Sequence, residues 1–230
     1  MNVAMALPDA EQGPSQLSLR LMSAAVLVPP ALWAVHAGSP YFDVLIGVGA
    51  AILVWEVIRV CRGKLLWIVA AIGYVAVSVV SLWLLRTSGD RGPEVVLWLL
   101  AVVWAADSGA YFCGRAIGGP KLAPKISPKK TWAGFIGALV ASALVGVAAA
   151  IFLGKPGYFT LIALTVLIGG ISQLGDLLES WVKRRFNVKD ASGLIPGHGG
   201  LFDRVDGLLA ASLVAWAVDI SVEGSLLAWL

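Results

Sequence analysis

Long apolar stretches alternate with short polar connections along the chain, and this pattern predicts helices rather than strands. Four stretches of 20 or more residues contain no Asp, Glu, Lys or Arg, and they run over 21–42, 65–85, 131–154 and 156–175. Three more carry only a few charges, over 41–60, 94–114 and 205–222. Because about 20 residues of helix cross the ~30 Å hydrocarbon core of a bilayer, the pattern predicts seven spanning helices. A short eighth element at 224–230 is an alternative.

Composition supports a membrane protein and excludes several other classes. Apolar residues make up 59% of the 230 residues and charged residues 13%, which is about half the charged share of a soluble domain. The two cysteines, Cys61 and Cys113, form neither a disulfide framework nor a Cys-pair zinc motif. We therefore expect an all-α polytopic integral membrane protein with about seven transmembrane helices, within a range of six to eight.

The polar residues 1–19 are interpreted as a short cytoplasmic tail, and residues 20–230 as a single transmembrane catalytic domain. Only Arg20 precedes the first apolar run, whereas a cleavable signal has a basic first region and a small-residue cleavage site. The first run is therefore predicted to be a retained helix.

Basic residues are distributed unevenly between the two sides of this predicted topology. With the N-terminus inside, the inner segments hold 14 of the 17 Lys and Arg residues. Such a bias is typical of cytoplasmic segments. It predicts a cytoplasmic N-terminus and makes the two long connections, 115–131 and 181–204, cytoplasmic loops. The expected location is a bacterial-type inner (plasma) membrane, with the active site at its cytoplasmic face.

Carboxylates accompany the basic residues around the 181–204 loop. Asp176 shares one face of the sixth helix with Lys183, and Asp203 and Asp206 lie three residues apart where the seventh helix begins. If these helix ends are adjacent, the carboxylates converge, and clustered oxygens with substrate phosphates are the ligands that Mg²⁺ prefers. For Asp203 alone, a helix N-cap is the alternative interpretation.

The segment between these carboxylates, 193–200, is rich in glycine and ends at a helix start, where backbone N–H groups bind phosphate well. Together with Lys183, Arg184, Lys189 and Arg204, it forms a plausible polyphosphate cradle. It is not a Walker A loop, because no GxxxxGK[ST] motif occurs in the chain. Two interpretations stay open for His198, a phosphate contact or a residue that only fits the turn.

The 115–131 loop has five basic residues, no acid and three prolines, which suggest a fixed shape. Such a loop could hold an anionic lipid head or a triphosphate, or it could serve only topology. Asp107 and Glu56 lie inside predicted spans, where a carboxylate is expensive. A direct role and interhelical hydrogen bonding are both open for these two residues.

The segment from Ser180 to Asp206 resembles the signature of the phosphatidate cytidylyltransferases, also called CDP-diacylglycerol synthases. The shared elements are Ser180, Lys183-Arg184, Lys189-Asp190, Pro196-x-His198-Gly199-Gly200 and Asp203-Arg204-x-Asp206. Upstream, Asp107-Ser-Gly-Ala-Tyr-Phe, Lys121-Leu-Ala-Pro and Ser127-Pro-Lys-Lys-Thr-Trp132 are also similar to that family. The resemblance is sharp over 104–206 and compositional before that.

The resemblance implies a reaction of CTP with phosphatidate that gives CDP-diacylglycerol and pyrophosphate, with Mg²⁺ as cofactor and a second cation site. It implies catalytic roles for Asp176, Lys183, Asp203, Arg204 and Asp206, with the three carboxylates as metal ligands. The substrate-binding candidates are Asp107, Lys125, Ser127, Lys129, Lys130, Arg184, Lys189, Asp190, His198, Gly199 and Gly200. Membrane lipid and a second copy of the chain, as a homodimer, are the implied partners, and no nucleic acid is expected.

A membrane transporter is the main alternative from another class, because intramembrane carboxylates suit an ion path. However, the chain shows no convincing internal repeat, and its charges crowd one face rather than the midplane. A related CTP-dependent enzyme that acts on an ether-lipid phosphate is a second alternative.

The predicted orientation can be tested by cysteine labelling in intact cells, after Cys61 and Cys113 have been replaced by alanine. A membrane-impermeant maleimide should label a cysteine at position 155 and leave a cysteine in place of Ser127 unlabelled. Labelling of position 127 from outside would overturn the cytoplasmic assignment of the 115–131 loop.

Overall fold

A computed structural model describes residues 16–154 and 158–221, which form seven helices and one short hairpin. The helices are α1 (Gln16–Ala37), α2 (Tyr41–Cys61), α3 (Leu65–Thr87), α4 (Gly92–Ala116), α5 (Trp132–Leu153), α6 (Tyr158–Arg185) and α7 (Phe202–Ser221). The strands are β1 (Lys121–Ala123) and β2 (Ser127–Thr131). The predictions for residues 1–15, for Lys155 and for an eighth element at 224–230 fall outside the described residues.

Six of these helices, α1 to α6, are long and apolar enough to cross a membrane. Helix α7 is of similar length but carries four charged residues. Its first turns contact α6 at the site described below, whereas Asp219 near its far end accepts a hydrogen bond from Ser88 Oγ (2.9 Å) at the opposite end of the bundle. The prediction of an all-α polytopic membrane protein is confirmed.

Two boundaries differ from the apolar pattern. The run 21–42 is divided at Gly38, whose φ of +74° lies in the left-handed region that suits glycine and ends α1. Helix α6 continues to Arg185, so the connection to α7 covers 186–201 instead of 181–204. The charges at its end stabilise this extra length, because Glu179 and Lys183 pair at i and i+4.

The four segments that the sequence assigns to one side of the membrane lie at one end of the bundle. At this end the start of α1 contacts the α6–α7 connection through Arg20, which donates to Gly197 O (2.9 Å). Trp67 at the start of α3 packs on Trp181 and Phe186 near the end of α6. The β1–β2 hairpin reaches α6 through Lys130. The uneven distribution of charge along the sequence thus becomes one polar end of the bundle.

Helices α4, α5, α6 and α7 pack against one another in succession, and α7 also contacts α3. Small residues allow the close approach of α4 and α5. A Cβ atom on Gly109 would lie 2.4 Å from the carbonyl oxygen of Gly137, and one on Gly137 would lie 2.5 Å from Cys113 Cβ. Close packing through small residues is typical of membrane helices, since lipid provides little hydrophobic drive for their association.

The 115–131 loop forms an antiparallel hairpin in which Lys121 pairs with Thr131 and Ala123 with Ser127. Thr131 then caps α5, because its side chain accepts a hydrogen bond from Gly134 N (3.1 Å). The hairpin is therefore attached directly to a helix of the bundle, which fixes the position of the basic residues that it carries.

The contact between α4 and α5 can be tested with matched alanine substitutions. Gly137→Ala should lower the thermal midpoint in detergent and destabilise the fold by roughly 1–3 kcal/mol, because the added methyl overlaps the neighbouring helix. Gly73→Ala is the control, since a Cβ on Gly73 would meet nothing within 4 Å. A Gly137→Ala variant as stable as the control would contradict the close packing.

Candidate functional site

Three carboxylates gather at the polar end of the bundle, and we call Asp176, Glu179 and Asp206 the acidic group. Asp176 and Glu179 lie one turn apart on α6, and Asp206 lies in the second turn of α7. One oxygen of each lies within 4.8 Å of the other two, a spacing at which the three could hold one metal ion. The structure brings together the predicted Asp176 and Asp206, and it adds Glu179.

Lys183 connects the acidic group to the start of α7. Its Nζ lies 2.5 Å from Glu179 Oε2 and 2.5 Å from Asp203 Oδ1. All three side chains are largely buried. A lysine shared by two carboxylates is held firmly in place, so in this arrangement Lys183 positions carboxylates rather than facing solvent.

Asp203 lies outside the acidic group and organises the glycine-rich loop. Its Oδ2 atom accepts hydrogen bonds from Ala191 N (3.0 Å) and Gly200 N (2.8 Å), and its other oxygen contacts Lys183. A charged acceptor that binds backbone N–H groups next to a helix start also stabilises the helix. The ligand role of Asp203 stays a prediction.

The hairpin contributes one lysine to the site. Lys130 Nζ lies 2.7 Å from Asp176 Oδ2 and also donates to Gln173 O (3.3 Å). Gln173 Nε2 in turn donates to Asp107 Oδ1 (2.8 Å), which links the intramembrane carboxylate of α4 to α6. The structure therefore brings the predicted Lys130 and Asp107 to the side of the acidic group.

Glu56, the other carboxylate inside a predicted span, is fully buried and acts as a hydrogen-bond acceptor. It accepts from the Ser192 hydroxyl and from the backbone N–H groups of Leu201 (2.9 Å) and Phe202 (2.7 Å). A side chain on Gly200 would collide with it, since a Cβ there would lie 2.5 Å from Glu56 Oε1. Glu56 thus ties α2 to the loop and caps the start of α7 from a different helix.

His198 fits against α1. Its Nδ1 lies 2.7 Å from the Ser23 hydroxyl, and its carbonyl oxygen accepts from Arg204 Nε (3.0 Å). Partial burial lowers the pKa of His198 below its usual range, and the charges of Arg204 and Arg20 act in the same direction. The imidazole is therefore mainly neutral at pH 7, with Nδ1 engaged by α1.

The remaining predicted residues are mostly exposed and form no ion pair with the acidic group among the described residues. Five are exposed, and in residues 16–154 and 158–221 none of them forms an ion pair; they are Lys125, Lys129, Arg184, Lys189 and Asp190. Ser127 and Gly199 are partly exposed in the hairpin and the glycine-rich loop. Four of the five exposed residues are basic, and they lie in the hairpin, at the end of α6 and in the α6–α7 connection.

Carboxylates outnumber lysines at the centre of the site. The acidic group and Asp203 contact only two lysines, Lys130 and Lys183, within the part of the chain that the structure describes. Such an excess suits a divalent cation, and oxygen-only ligands suit Mg²⁺ or a similar hard ion. The sequence signal for Glu179 was its position three residues after Asp176, on the same face of α6.

Comparison of the sequence with known proteins identifies the family to which the chain belongs. Residues 63–221 match the model of the cytidylyltransferase family. A phosphatidate cytidylyltransferase of Brucella suis is 46% identical over 168 residues, which are 73% of this chain and 61% of that protein. One from Rickettsia bellii is 32% identical over 213 residues, which are 89% of this chain and 91% of that protein.

The chain spans 61% of the length of the Brucella relative. The match nevertheless covers α3 to α7 together with the hairpin and the glycine-rich loop, so it includes the acidic group and both lysines that contact it. The resemblance inferred from the motifs between 104 and 206 is confirmed, and the chain belongs to the cytidylyltransferase family.

Proposed function

We propose that this chain is a nucleotidyltransferase of phospholipid synthesis that converts CTP and phosphatidate to CDP-diacylglycerol and pyrophosphate. The observation that carries the proposal is the acidic group itself, which lies at the polar end of a membrane bundle and is flanked by lysines from β2 and α6. The relatives named phosphatidate cytidylyltransferase support the choice of substrates.

The reaction needs positioning more than it needs a strong base. A phosphate oxygen of phosphatidate attacks the α-phosphorus of CTP, and the bond between the α-phosphorus and the bridging oxygen breaks to release pyrophosphate. Because the attacking phosphate is already an anion near neutral pH, no side chain has to remove a proton from it. The obstacle is repulsion between two polyanions, which fixed positive charges and precise placement reduce.

Lysines and arginines of the site would supply these charges. Lys130 is fixed by the hairpin next to Asp176, where it would meet phosphate oxygens. Lys183 is buried between Glu179 and Asp203, and it would reach a phosphate only when another cation compensates these carboxylates. Arg204 is exposed at the start of α7, beside the glycine-rich loop. The exposed lysines of the hairpin, Lys125 and Lys129, would attract the nucleotide or the lipid head to the surface.

The donor set fits a divalent cation. Asp176 and Asp206 would hold Mg²⁺, because carboxylate oxygens of two helices already lie close enough to share an ion. When bound, Mg²⁺ would neutralise phosphate charge and stabilise the leaving pyrophosphate.

The position of the site agrees with a lipid substrate. The acidic group lies at the end of α6, a helix that is apolar enough to cross a membrane. Large apolar side chains are exposed along the helices, as expected for surfaces that face lipid, and Leu66 and Phe152 are examples. The acyl chains can therefore stay in the bilayer while the phosphate head reaches the polar end of the bundle.

The proposal can be tested with purified protein in detergent micelles that contain phosphatidate, CTP and Mg²⁺. Wild-type protein should release pyrophosphate, and Asp176→Asn should reduce kcat/KM by at least about a hundredfold, since it removes a carboxylate that would hold the cation. Asp90→Asn is the control, because Asp90 is an exposed acid in the α3–α4 connection. An ether-lipid phosphate in place of phosphatidate tests the related substrate. Absence of pyrophosphate release with both lipids would contradict the proposed function.

The hairpin offers a second test, in which two adjacent lysines differ in their contacts. Lys130→Ala should lower kcat/KM for CTP at least about tenfold, because a hydrogen bond to a charged group is worth roughly 1.5–3 kcal/mol. Lys129→Ala should change it less than about threefold, as expected for an exposed charge. A rise in KM alone would indicate binding, and a fall in kcat would indicate a role in the transition state. Equal effects of the two substitutions would contradict the special position of Lys130.

A further inference from the structure

Glu179 is a buried carboxylate with one oxygen that has no partner. The side chain is 3% exposed, and its Oε2 atom contacts Lys183. The Oε1 atom is buried and lacks a hydrogen-bond partner within the part of the chain that the structure describes. Buried polar atoms without a partner are rare, and a charged one is especially costly.

Other carboxylates lie close to Glu179, so this part of the site requires more positive charge than Lys183 provides. Two more carboxylates, Asp176 and Asp206, lie with it in the acidic group, and a third, Asp203, lies beside it and pairs with the same Lys183. The single charge of Lys183 is therefore divided between two carboxylates, and among the described carboxylates Lys130 pairs with Asp176 alone. Neither lysine satisfies the second oxygen of Glu179.

We propose that Glu179 is a direct ligand of the divalent cation in the acidic group, through the oxygen that the protein leaves without a partner. Glu179 stands outside the segment from Ser180 to Asp206 that carries the family signature, and its assignment comes from its burial and its position. The inference deepens the proposed function and rests on it for the role of the ion, but the binding of the ion can be measured without substrates.

Glu179 and Asp203 also differ in how many of their oxygens have hydrogen-bond partners. Both contact Lys183, but both oxygens of Asp203 are engaged, by the lysine and by the backbone N–H groups of Ala191 and Gly200. Glu179 has one oxygen without a hydrogen-bond partner, whereas each oxygen of Asp203 already has one. In the arrangement described, Asp203 holds the glycine-rich loop, and Glu179 has an oxygen available to the ion.

The test is a titration of the detergent-solubilised full chain with Mn²⁺ alone, followed by the electron paramagnetic resonance signal of the free ion. Glu179→Gln should raise the Kd for Mn²⁺ at least about tenfold. Even residues that only hydrogen-bond to a metal ligand change metal affinity by about tenfold or more when they are replaced. Glu179→Asp, which keeps the charge, should bind more tightly than Glu179→Gln. Glu94→Gln is the matched control, because Glu94 is an exposed acid at the start of α4.

Lys183→Met distinguishes a ligand from a residue that acts through the lysine. If Glu179 holds the ion directly, loss of the lysine charge should leave Mn²⁺ affinity equal or higher, since a competing cation is gone. An unchanged Kd in Glu179→Gln, or an equal loss in Lys183→Met, would overturn the inference. A protein that binds Mn²⁺ as expected but releases no pyrophosphate from CTP would instead reject the proposed function and leave the ligand assignment in place.

Discussion

Buried negative charge is the constraint on which this end of the molecule depends. A carboxylate enclosed by helices and lipid must be compensated by hydrogen bonds or by positive charge. Glu56 meets this need with three donors, and Asp203 meets it with Lys183 and two backbone N–H groups. The acidic group is different, because Lys130 pairs with Asp176, and Lys183 divides its charge between Glu179 and Asp203. Glu56 and Asp203, which hold the glycine-rich loop, are therefore fully compensated. In the acidic group, where chemistry is expected, carboxylates outnumber the lysines that contact them.

Rigidity at the site comes from helices that hold one loop. The segment 186–201 has little regular structure of its own, but α2 binds it through Glu56 and α7 through Asp203. Helix α1 adds two contacts, from Arg20 to Gly197 O and from Ser23 to His198. A loop held from several directions loses little conformational entropy when a substrate arrives, which favours precise placement of phosphates. The carboxylate at Glu56, expensive in a membrane helix, is therefore explained by its partners.

The sequence predicted the helices well because lipid imposes a length and a composition that can be counted. It also predicted the polar end of the bundle, because the basic residues are concentrated in segments that the predicted topology places on one side of the membrane, close to Asp176. The sequence does not show which charged side chains pair with one another. Glu179 and Asp203 are 24 residues apart along the chain, and only the packing of α6 against α7 shows that one lysine lies between them. The hydrogen-bond partners of Glu56 likewise lie far along the chain, in the α6–α7 connection and at the start of α7.

The lysines of the site are already paired, and this fact constrains how a polyanion can bind. Lys130 and Lys183 neutralise part of the acidic group, so a phosphate that draws either lysine away exposes more negative charge beside itself. Such a step is unfavourable at low dielectric unless another positive charge takes the place of the lysine. A divalent ion at the acidic group would satisfy this condition, since it would compensate the carboxylates and allow the lysines to face the phosphates. Under the proposed function, the carboxylates and the paired lysines would thus act together, and a cation and a nucleotide would bind better together than either one alone.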